Sequence, residues 1–337
     1  MKIAINGFGR IGRMTLRALQ HKNTEVVAIN DLMSADILAH LFKYDTAHGK
    51  YPGTVTHTNT HLIVDGKEIL LTNEKDPANL PWKQLDVDMV IESTGRFTHR
   101  DQAQAHIRAG ARKVLITAPA SGGVKTIVVG VNDNIITAED EILSTASCTT
   151  NCIAVPLFLL DKELGIESGF MSTVHAFTMD QMLQDGPHKD FRRARAATQS
   201  IIPTTTGAAK AIGDVLPDLK GKLDGVSYRV PVIDASIAEL TLTVKKNTTA
   251  AAVNELLKQA AANDLKGILE YTEEPFVSAD LLGNTHSSII DGALTRVIGN
   301  LVKVVAWYDN EVGISNRIAE LVTVDALDFA DAPDTRR

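Results

Sequence analysis

Apolar residues along this chain recur in two rhythms. Over the first 150 positions they form short, nearly unbroken runs: Ile3-Ala4-Ile5, Glu25-Val26-Val27-Ala28-Ile29, Val87-Asp88-Met89-Val90-Ile91-Glu92, Arg112-Lys113-Val114-Leu115-Ile116 and Glu141-Ile142-Leu143-Ser144-Thr145. Runs of this length with little alternation predict strands buried on both faces, as in a parallel sheet. Residues 13–20 and the alanine-rich stretch 102–109 predict helices between them. Beyond an apolar helix over 152–160 the rhythm changes. Residues 170–177, 226–230, 236–245 and 302–307 predict strands with fewer intervening helices, which fall near 249–261 and 311–321. Such a pattern predicts a mostly antiparallel sheet with helices on one face.

The first strand breaks at Gly7-Phe8-Gly9-Arg10-Ile11-Gly12, a helix follows, and the second strand ends in Asn30-Asp31. Strand, glycine turn, helix, strand and acid in that order make a dinucleotide-binding βαβ unit. Gly7 permits the tight turn, Gly9 admits a pyrophosphate to the backbone, and Gly12 lets the helix pack closely. Arg10 and Ile11 complete the cofactor-binding turn. Asp31 would accept hydrogen bonds from ribose hydroxyls and repel a 2′-phosphate, which selects NAD over NADP. The strand ends Ser93-Thr94-Gly95 and Thr117-Ala118-Pro119 should face the cofactor, adding Thr94 and Thr117. The expected fold is therefore α/β, an N-terminal Rossmann domain over 1–147 completed by a C-terminal helix 312–337. A second α+β domain, catalytic and oligomerising, is expected over 148–311.

Composition narrows the function classes. The 337 residues are 44% hydrophobic and 22% charged with a formal net charge of -7, an ordinary globular balance that argues against a dedicated nucleic-acid partner. Two cysteines four positions apart exclude a disulfide scaffold and suit a reducing cytoplasm. No Cys/His set has zinc spacing, so no metal is expected. Neither a targeting segment nor a membrane-length apolar run is evident, and cytoplasmic localisation is the expectation.

Ser147-Cys148-Thr149-Thr150-Asn151-Cys152 places a thiol where strand gives way to helix. The unpaired N–H groups and macrodipole of a helix N-terminus bias a cysteine toward thiolate, the form that attacks carbon. Cys152, one turn on, is read as packing. His175, on a predicted strand, is the candidate base, since an adjacent imidazole stabilises a thiolate and takes up a proton.

Six stretches in order carry a resemblance over nearly the whole chain: Asn6-Gly7-Phe8-Gly9-Arg10-Ile11-Gly12-Arg13, Ala146-Ser147-Cys148-Thr149-Thr150-Asn151-Cys152, Thr173-Val174-His175, Pro187-His188-Lys189-Asp190, Thr205-Thr206-Gly207-Ala208-Ala209-Lys210 and Trp307-Tyr308-Asp309-Asn310-Glu311. Together they resemble phosphorylating glyceraldehyde-3-phosphate dehydrogenases. The resemblance implies a glycolytic homotetramer that oxidises D-glyceraldehyde 3-phosphate with NAD and inorganic phosphate to 1,3-bisphosphoglycerate. It implies Cys148 as nucleophile and His175 as base, with Asn310 on the nicotinamide carboxamide. Thr178, Arg229 and Lys189 would hold one phosphate, Ser147, Thr149, Thr206 and Gly207 the other, and Arg195 would lie near both. Within the same chemistry, erythrose-4-phosphate dehydrogenase is the alternative. The chain departs from the family pattern at Val232-Ile233-Asp234-Ala235, where Thr-Pro-Asn-Val is usual. Val312 and Ile314 stand where tryptophan and tyrosine are common.

Overall fold

A computed structural model of the chain, describing residues 1–20 and 22–323, divides it into two compact units. The first takes in residues 1–127, 134–146 and the described residues from 315 on. Its elements are β1 (Lys2–Asn6), α1 (Arg10–Leu19), β2 (Glu25–Asn30), α2 (Ala35–Lys43), β3 (Val55–His57), β4 (His61–Val64), β5 (Lys67–Thr72), β6 (Met89–Glu92), α3 (Arg100–Arg108), β7 (Lys113–Ile116), β8 (Lys125–Thr126) and β9 (Ile142–Ser144). They build one sheet in the order β3-β4-β5-β2-β1-β6-β7-β9-β8. From β5 to β8 every neighbouring pair is parallel. The unbroken apolar runs at β6, β7 and β9 are buried along their whole length, as strands covered on both faces must be.

Strands β3 and β4 add an antiparallel edge that the apolar runs did not reveal. Thr56 and His57 of β3 are exposed, and β4 alternates half-buried His61 and Ile63 with buried Leu62 and Val64, so neither shows the buried-strand pattern. A signal was nonetheless present in Asp65-Gly66, whose φ values of 51° and 80° make the two-residue turn between β4 and β5.

The second unit comprises residues 128–133 and 147–314. It contains α4 (Cys148–Leu164), β10 (Ile166–Ala176), β11 (Ile202–Thr205), α5 (Ala208–Val215), β12 (Leu223–Val230), β13 (Ser236–Val244), α6 (Ala250–Ala262), β14 (Leu269–Thr272), β15 (Ser288–Asp291), β16 (Arg296–Ile298) and β17 (Leu301–Tyr308). The sheet order is β11-β12-β10-β13-β17-β15-β14, with β16 on β17. Among the described strands of this sheet, only β10–β12 and β14–β15 pair in parallel. Helices α4, α5 and α6 cover one face, and their apolar residues interlock with Leu240, Leu242, Val302 and Val304 in a single core. Val128 joins that core, which explains why 128–133 belong to this unit although they precede the thiol in sequence. Of the helix expected over 312–337, α7 (Val312–Leu321) is observed, and residues 324–337 lie outside the described residues.

Candidate active site

The helix carrying the thiol starts earlier than its apolar run suggests. Ala146 adopts φ 59°, a left-handed conformation that costs a residue with a Cβ about 1 kcal/mol or more and turns the chain sharply. Ser147 then caps α4, its Oγ accepting the Thr150 N–H at 3.1 Å and its carbonyl the Asn151 side-chain amide at 2.9 Å. Cys148 becomes the first helical residue, among N–H groups with no intrahelical acceptor. Gly165, at φ 71°, stops the helix at its other end.

His175 lies near the end of β10, in register with Arg229 of β12. Its Nε2 is 3.5 Å from Cys148 Sγ, and its Nδ1 is 2.7 Å from the Ala176 carbonyl. Arg229 Nη1, a donor, also lies 3.3 Å from Nδ1, but the shorter contact is to the carbonyl, which can only accept, so Nδ1 is assigned the proton and the Nε2 lone pair faces the sulfur. Burial pushes the Cys148 thiol up to about 11, against the opposing charge of Arg229 and hydrogen bonding from Thr149. Burial, reinforced by the Arg229 charge, likewise pushes His175 down to about 3. The helix terminus by itself therefore does not outweigh desolvation. Neither group holds its charge alone, and the proton passing from sulfur to Nε2 creates both charges together, each stabilising the other.

A cationic cluster continues from His175. Arg229 Nη1 donates to Thr178 Oγ1 at 2.8 Å and to the Ala176 carbonyl at 3.2 Å, while its buried Nε has no hydrogen-bond partner. Thr178 donates in turn to Asp180, which also accepts from Arg193 Nη1. Burial disfavours the Asp180 charge, yet the Thr178 hydroxyl and the two arginines hold its carboxyl below the ordinary range. Arg193 is anchored by Nε to Thr204 Oγ1 at 2.9 Å. Arg195, the arginine expected here, instead forms an exposed ion pair with Asp185 at 2.9 Å, and Lys189 is exposed. In a run of three arginines over 192–195 without regular structure, spacing says nothing of which one turns inward. The Asp190 side chain, capping the Arg192 and Arg193 N–H groups and accepting from Thr204, decides it.

Thr149 Oγ1 and Thr173 Oγ1 both lie 2.9 Å from the buried Tyr308 hydroxyl, whose ring meets His175 edge-on at 5.9 Å. Gly207 caps α5, and Thr206 Oγ1 accepts the Ala208 N–H at 3.2 Å, so a second helix begins at this threonine-glycine motif. Asn310 Oδ1 accepts from Ser236 Oγ at 2.7 Å, and Ser236 also accepts the Ala176 N–H, which ties the asparagine to the strand bearing His175. Cys152 is fully buried against Ser288 and the Trp307 carbonyl, and burial pushes its thiol far up.

In the first unit Gly7 adopts φ 93°, and a Cβ on Gly12 would stand 2.2 Å from the Gly7 carbonyl oxygen. A Cβ on Gly9 would meet nothing within 4 Å, leaving open space before the N-terminus of α1. Asp31 accepts the Phe8 N–H at 2.8 Å and the Met33 N–H at 3.0 Å, which holds its carboxylate beside the turn. These features fit a dinucleotide pyrophosphate and ribose. Arg10 directs its guanidinium to Asp45, whose carboxyl it helps bring down to about 2 against burial. Arg10 and Ile11 thus offer the turn their backbone. Thr117 donates to the Glu92 carbonyl at 3.2 Å, and Thr94 donates to the Glu92 side chain.

Comparison with known proteins assigns both units. Residues 1–100 match the NAD binding domain of glyceraldehyde 3-phosphate dehydrogenase, and residues 147–310 match its C-terminal domain. The chain is 53% identical to the glyceraldehyde-3-phosphate dehydrogenase of Zymomonas mobilis over 95% of its own length and 97% of the relative's. Glyceraldehyde-3-phosphate dehydrogenase 2 of Bacillus subtilis is 54% identical, with 96% of each chain covered. Glyceraldehyde-3-phosphate dehydrogenase 2 of Saccharomyces cerevisiae is 51% identical over 96% of this chain and 98% of that protein.

Proposed function

The chain belongs to the glyceraldehyde 3-phosphate dehydrogenase family, and from that premise we propose that it oxidises D-glyceraldehyde 3-phosphate to 1,3-bisphosphoglycerate in glycolysis, using NAD and inorganic phosphate. The observation that carries the catalytic reading is Cys148 Sγ lying 3.5 Å from a histidine nitrogen whose tautomer leaves it free to accept a proton. As the thiol proton moves to His175 Nε2, the sulfur attacks the aldehyde carbon, and Nε2 passes that proton on to the oxygen, giving a hemithioacetal and a neutral His175. NAD supplies the hydride acceptor. When the hydride leaves that carbon, His175 takes the hydroxyl proton and Cys148 carries a thioester. A phosphate oxygen then attacks the thioester carbonyl, the C–S bond breaks, and the thiolate departs.

Arg229, Thr178 and Arg193 hold the substrate's own phosphate in this reading, and Asp180 is the carboxylate that shares those donors with it. Ser147, Thr149, Thr206 and Gly207, at the starts of α4 and α5, receive the attacking phosphate. Asn310, its Oδ1 engaged by Ser236, is left to donate from Nδ2 to the nicotinamide carboxamide. Gly7, Gly9, Gly12 and the Arg10 and Ile11 backbone cradle the pyrophosphate, with Asp31 on the ribose and Thr94 and Thr117 along the strand ends.

A homotetramer is supported by the second unit's surface. Phe170 is 69% exposed on the helix-free face of its sheet, and Val174 and Tyr228 pair across β10 and β12 on the same side. Along the irregular segment after β10, Met179 and Phe191 are 81% and 87% exposed. Exposed apolar surface of this kind supports a role in subunit contacts. Cytoplasmic residence accords with two free cysteines, and no helix among the described residues is long and apolar enough to cross a membrane.

The test is phosphate-dependent NADH formation from glyceraldehyde 3-phosphate against erythrose 4-phosphate. Preference for the former is expected, and Cys148→Ser should lower turnover by about 10⁴-fold or more. Preference for erythrose 4-phosphate would replace the substrate assignment, and an active serine variant would remove the covalent mechanism.

A further inference from the structure

Four neighbouring parallel strands of the first unit end in one register row of polar residues: Thr72 of β5, Asn30 of β2, Asn6 of β1 and Glu92 of β6. All but Thr72 are nearly or wholly buried. Their side chains join across the sheet edge. Thr72 Oγ1 donates to Asn30 Oδ1 at 2.9 Å, Asn30 Nδ2 to Asn6 Oδ1 at 2.7 Å, and Asn6 Nδ2 to Glu92 Oε2 at 2.6 Å. A second branch reaches the same oxygen from α3, where Trp82 Nε1 donates to His106 Nδ1 at 3.0 Å and His106 Nε2 lies 3.0 Å from Glu92 Oε2.

The polarity of this row is fixed at both ends. The Glu74 backbone N–H donates to Asn30 Oδ1 and the Glu74 carbonyl accepts from Asn30 Nδ2, both at 2.9 Å, so the Asn30 amide cannot be reversed. Asn6 must then turn its oxygen to Asn30 and its NH₂ to position 92. On the other branch the indole can only donate, so His106 Nδ1 accepts and Nε2 carries the proton toward Glu92. Thr94 adds its backbone N–H at 2.8 Å and its hydroxyl to Glu92 Oε1. Four donors converge on position 92, and only an acceptor-only side chain satisfies them all.

Thr94 connects this row to the glycine turn. A Cβ on Gly7 would fall 2.7 Å from the Thr94 nitrogen, and Ser93 Oγ donates to the Gly7 carbonyl at 2.6 Å. We propose that Glu92 is a positioning residue for the dinucleotide: as the common acceptor of the row, it holds the Ser93-Thr94-Gly95 loop against the glycine turn in the cofactor-binding conformation. The inference rests on the reading that this turn and Asp31 face NAD.

Glu92→Gln tests it, because the amide presents an N–H₂ to one pair of donors whichever way it is set. The NAD dissociation constant, measured by calorimetry on the full chain, should rise about 10-fold or more. Turnover at saturating NAD and the KM for glyceraldehyde 3-phosphate should stay within about 2-fold, as a loss of binding without a loss of chemistry requires. Thr94→Val should weaken NAD binding in the same way while Thr94→Ser restores it. The effects of Glu92→Gln and Thr94→Val should also be less than additive, since both remove one contact. If Glu92→Gln fails to fold, Asn6→Ala carries the test, since it removes one donor of the row from outside the cofactor-binding residues: the NAD dissociation constant should rise about 3-fold, and unchanged affinity overturns the proposal. Unchanged NAD affinity in Glu92→Gln, or in Thr94→Val, overturns the proposal, as does full additivity. Asp31→Ala separates the two readings: if it too leaves NAD binding intact, the assignment of the turn falls, whereas weakened binding in that variant alone defeats only the role of Glu92.

Discussion

Around Glu92 each of four converging donors meets a side-chain oxygen, whereas the proposed nucleophile Cys148 and its base His175 sit where desolvation disfavours their working charges, and a guanidinium nitrogen is left without a partner. The first arrangement suits a cradle that must not move when a ligand arrives. The second suits chemistry, because groups with destabilised charges respond strongly to each other and to an incoming anion. The cofactor unit commits its polar residues to fixing geometry, while the catalytic unit keeps part of its polarity uncommitted.

The sharpest attack on that contrast is to remove one member of the thiol–imidazole pair. In His175→Asn the sulfur loses the base that takes up its proton, and only Arg229 and Thr149 oppose its burial, so the alkylation profile of Cys148 should move to higher pH than in the wild type. Turnover should fall by about 10³-fold, the usual scale for losing a positioned general base. An alkylation profile that does not move would mean that the helix terminus sustains the thiolate without the histidine.

Next in size is the choice between two arginines. Arg193→Ala should lower kcat/KM for glyceraldehyde 3-phosphate by about 10- to 100-fold, the scale of a charge-assisted hydrogen bond to phosphate. Arg195→Ala, which opens only an exposed ion pair with Asp185, should change it by less than about 3-fold. Steady-state kinetics on both variants decides. The reverse ranking would mean that the Asp180–Arg193 pairing does not mark the phosphate site.

The contrast also explains what could be read in advance. The cofactor cradle was legible because its constraints are local: Gly7 needs a positive φ, Gly12 needs room under the Gly7 carbonyl, and Asp31 follows at the end of the next strand. Parallel strands were legible from unbroken burial, and the β3–β4 edge was not, since half its residues face water. The Cys148–His175 pair is legible from a helix-terminal cysteine and the motifs that carry the family resemblance, but its protonation is not, because desolvation depends on β10, β12 and Tyr308 meeting far from each other in sequence. The inward turn of Arg193 hangs on an Asp190 cap within an irregular loop, and no periodicity encodes that. The row from Thr72 to Glu92 hid in plain view as the last residue of four strands. Its meaning needs the sheet order β5-β2-β1-β6, which the strands' sequence order does not supply.

The smallest effect concerns a departure from the family pattern. Asp234 stands where asparagine is usual, and it is buried beside Asp309, whose side chain accepts the Gly283, Glu311 and Val312 N–H groups. Burial first, and then the charge of Asp234, pushes the Asp309 carboxyl up to about 7 despite those donors. A carboxyl whose folded-state value is raised above the unfolded one near 4 contributes stability at low pH that is lost as pH climbs through 7. Asp234→Asn removes the second cause and should bring the folded value down. The variant should therefore gain about 1 kcal/mol at pH 8, equivalent to a shift of roughly one unit, and distinctly less at pH 5. Urea unfolding midpoints at the two pH values measure this directly. An equal gain at both would mean that the Asp234→Asn substitution improves packing rather than relieving charge. The catalytic unit would then tolerate its paired acids at no electrostatic cost, and the contrast with the fully satisfied carboxylate at Glu92 would narrow to the thiol and its base.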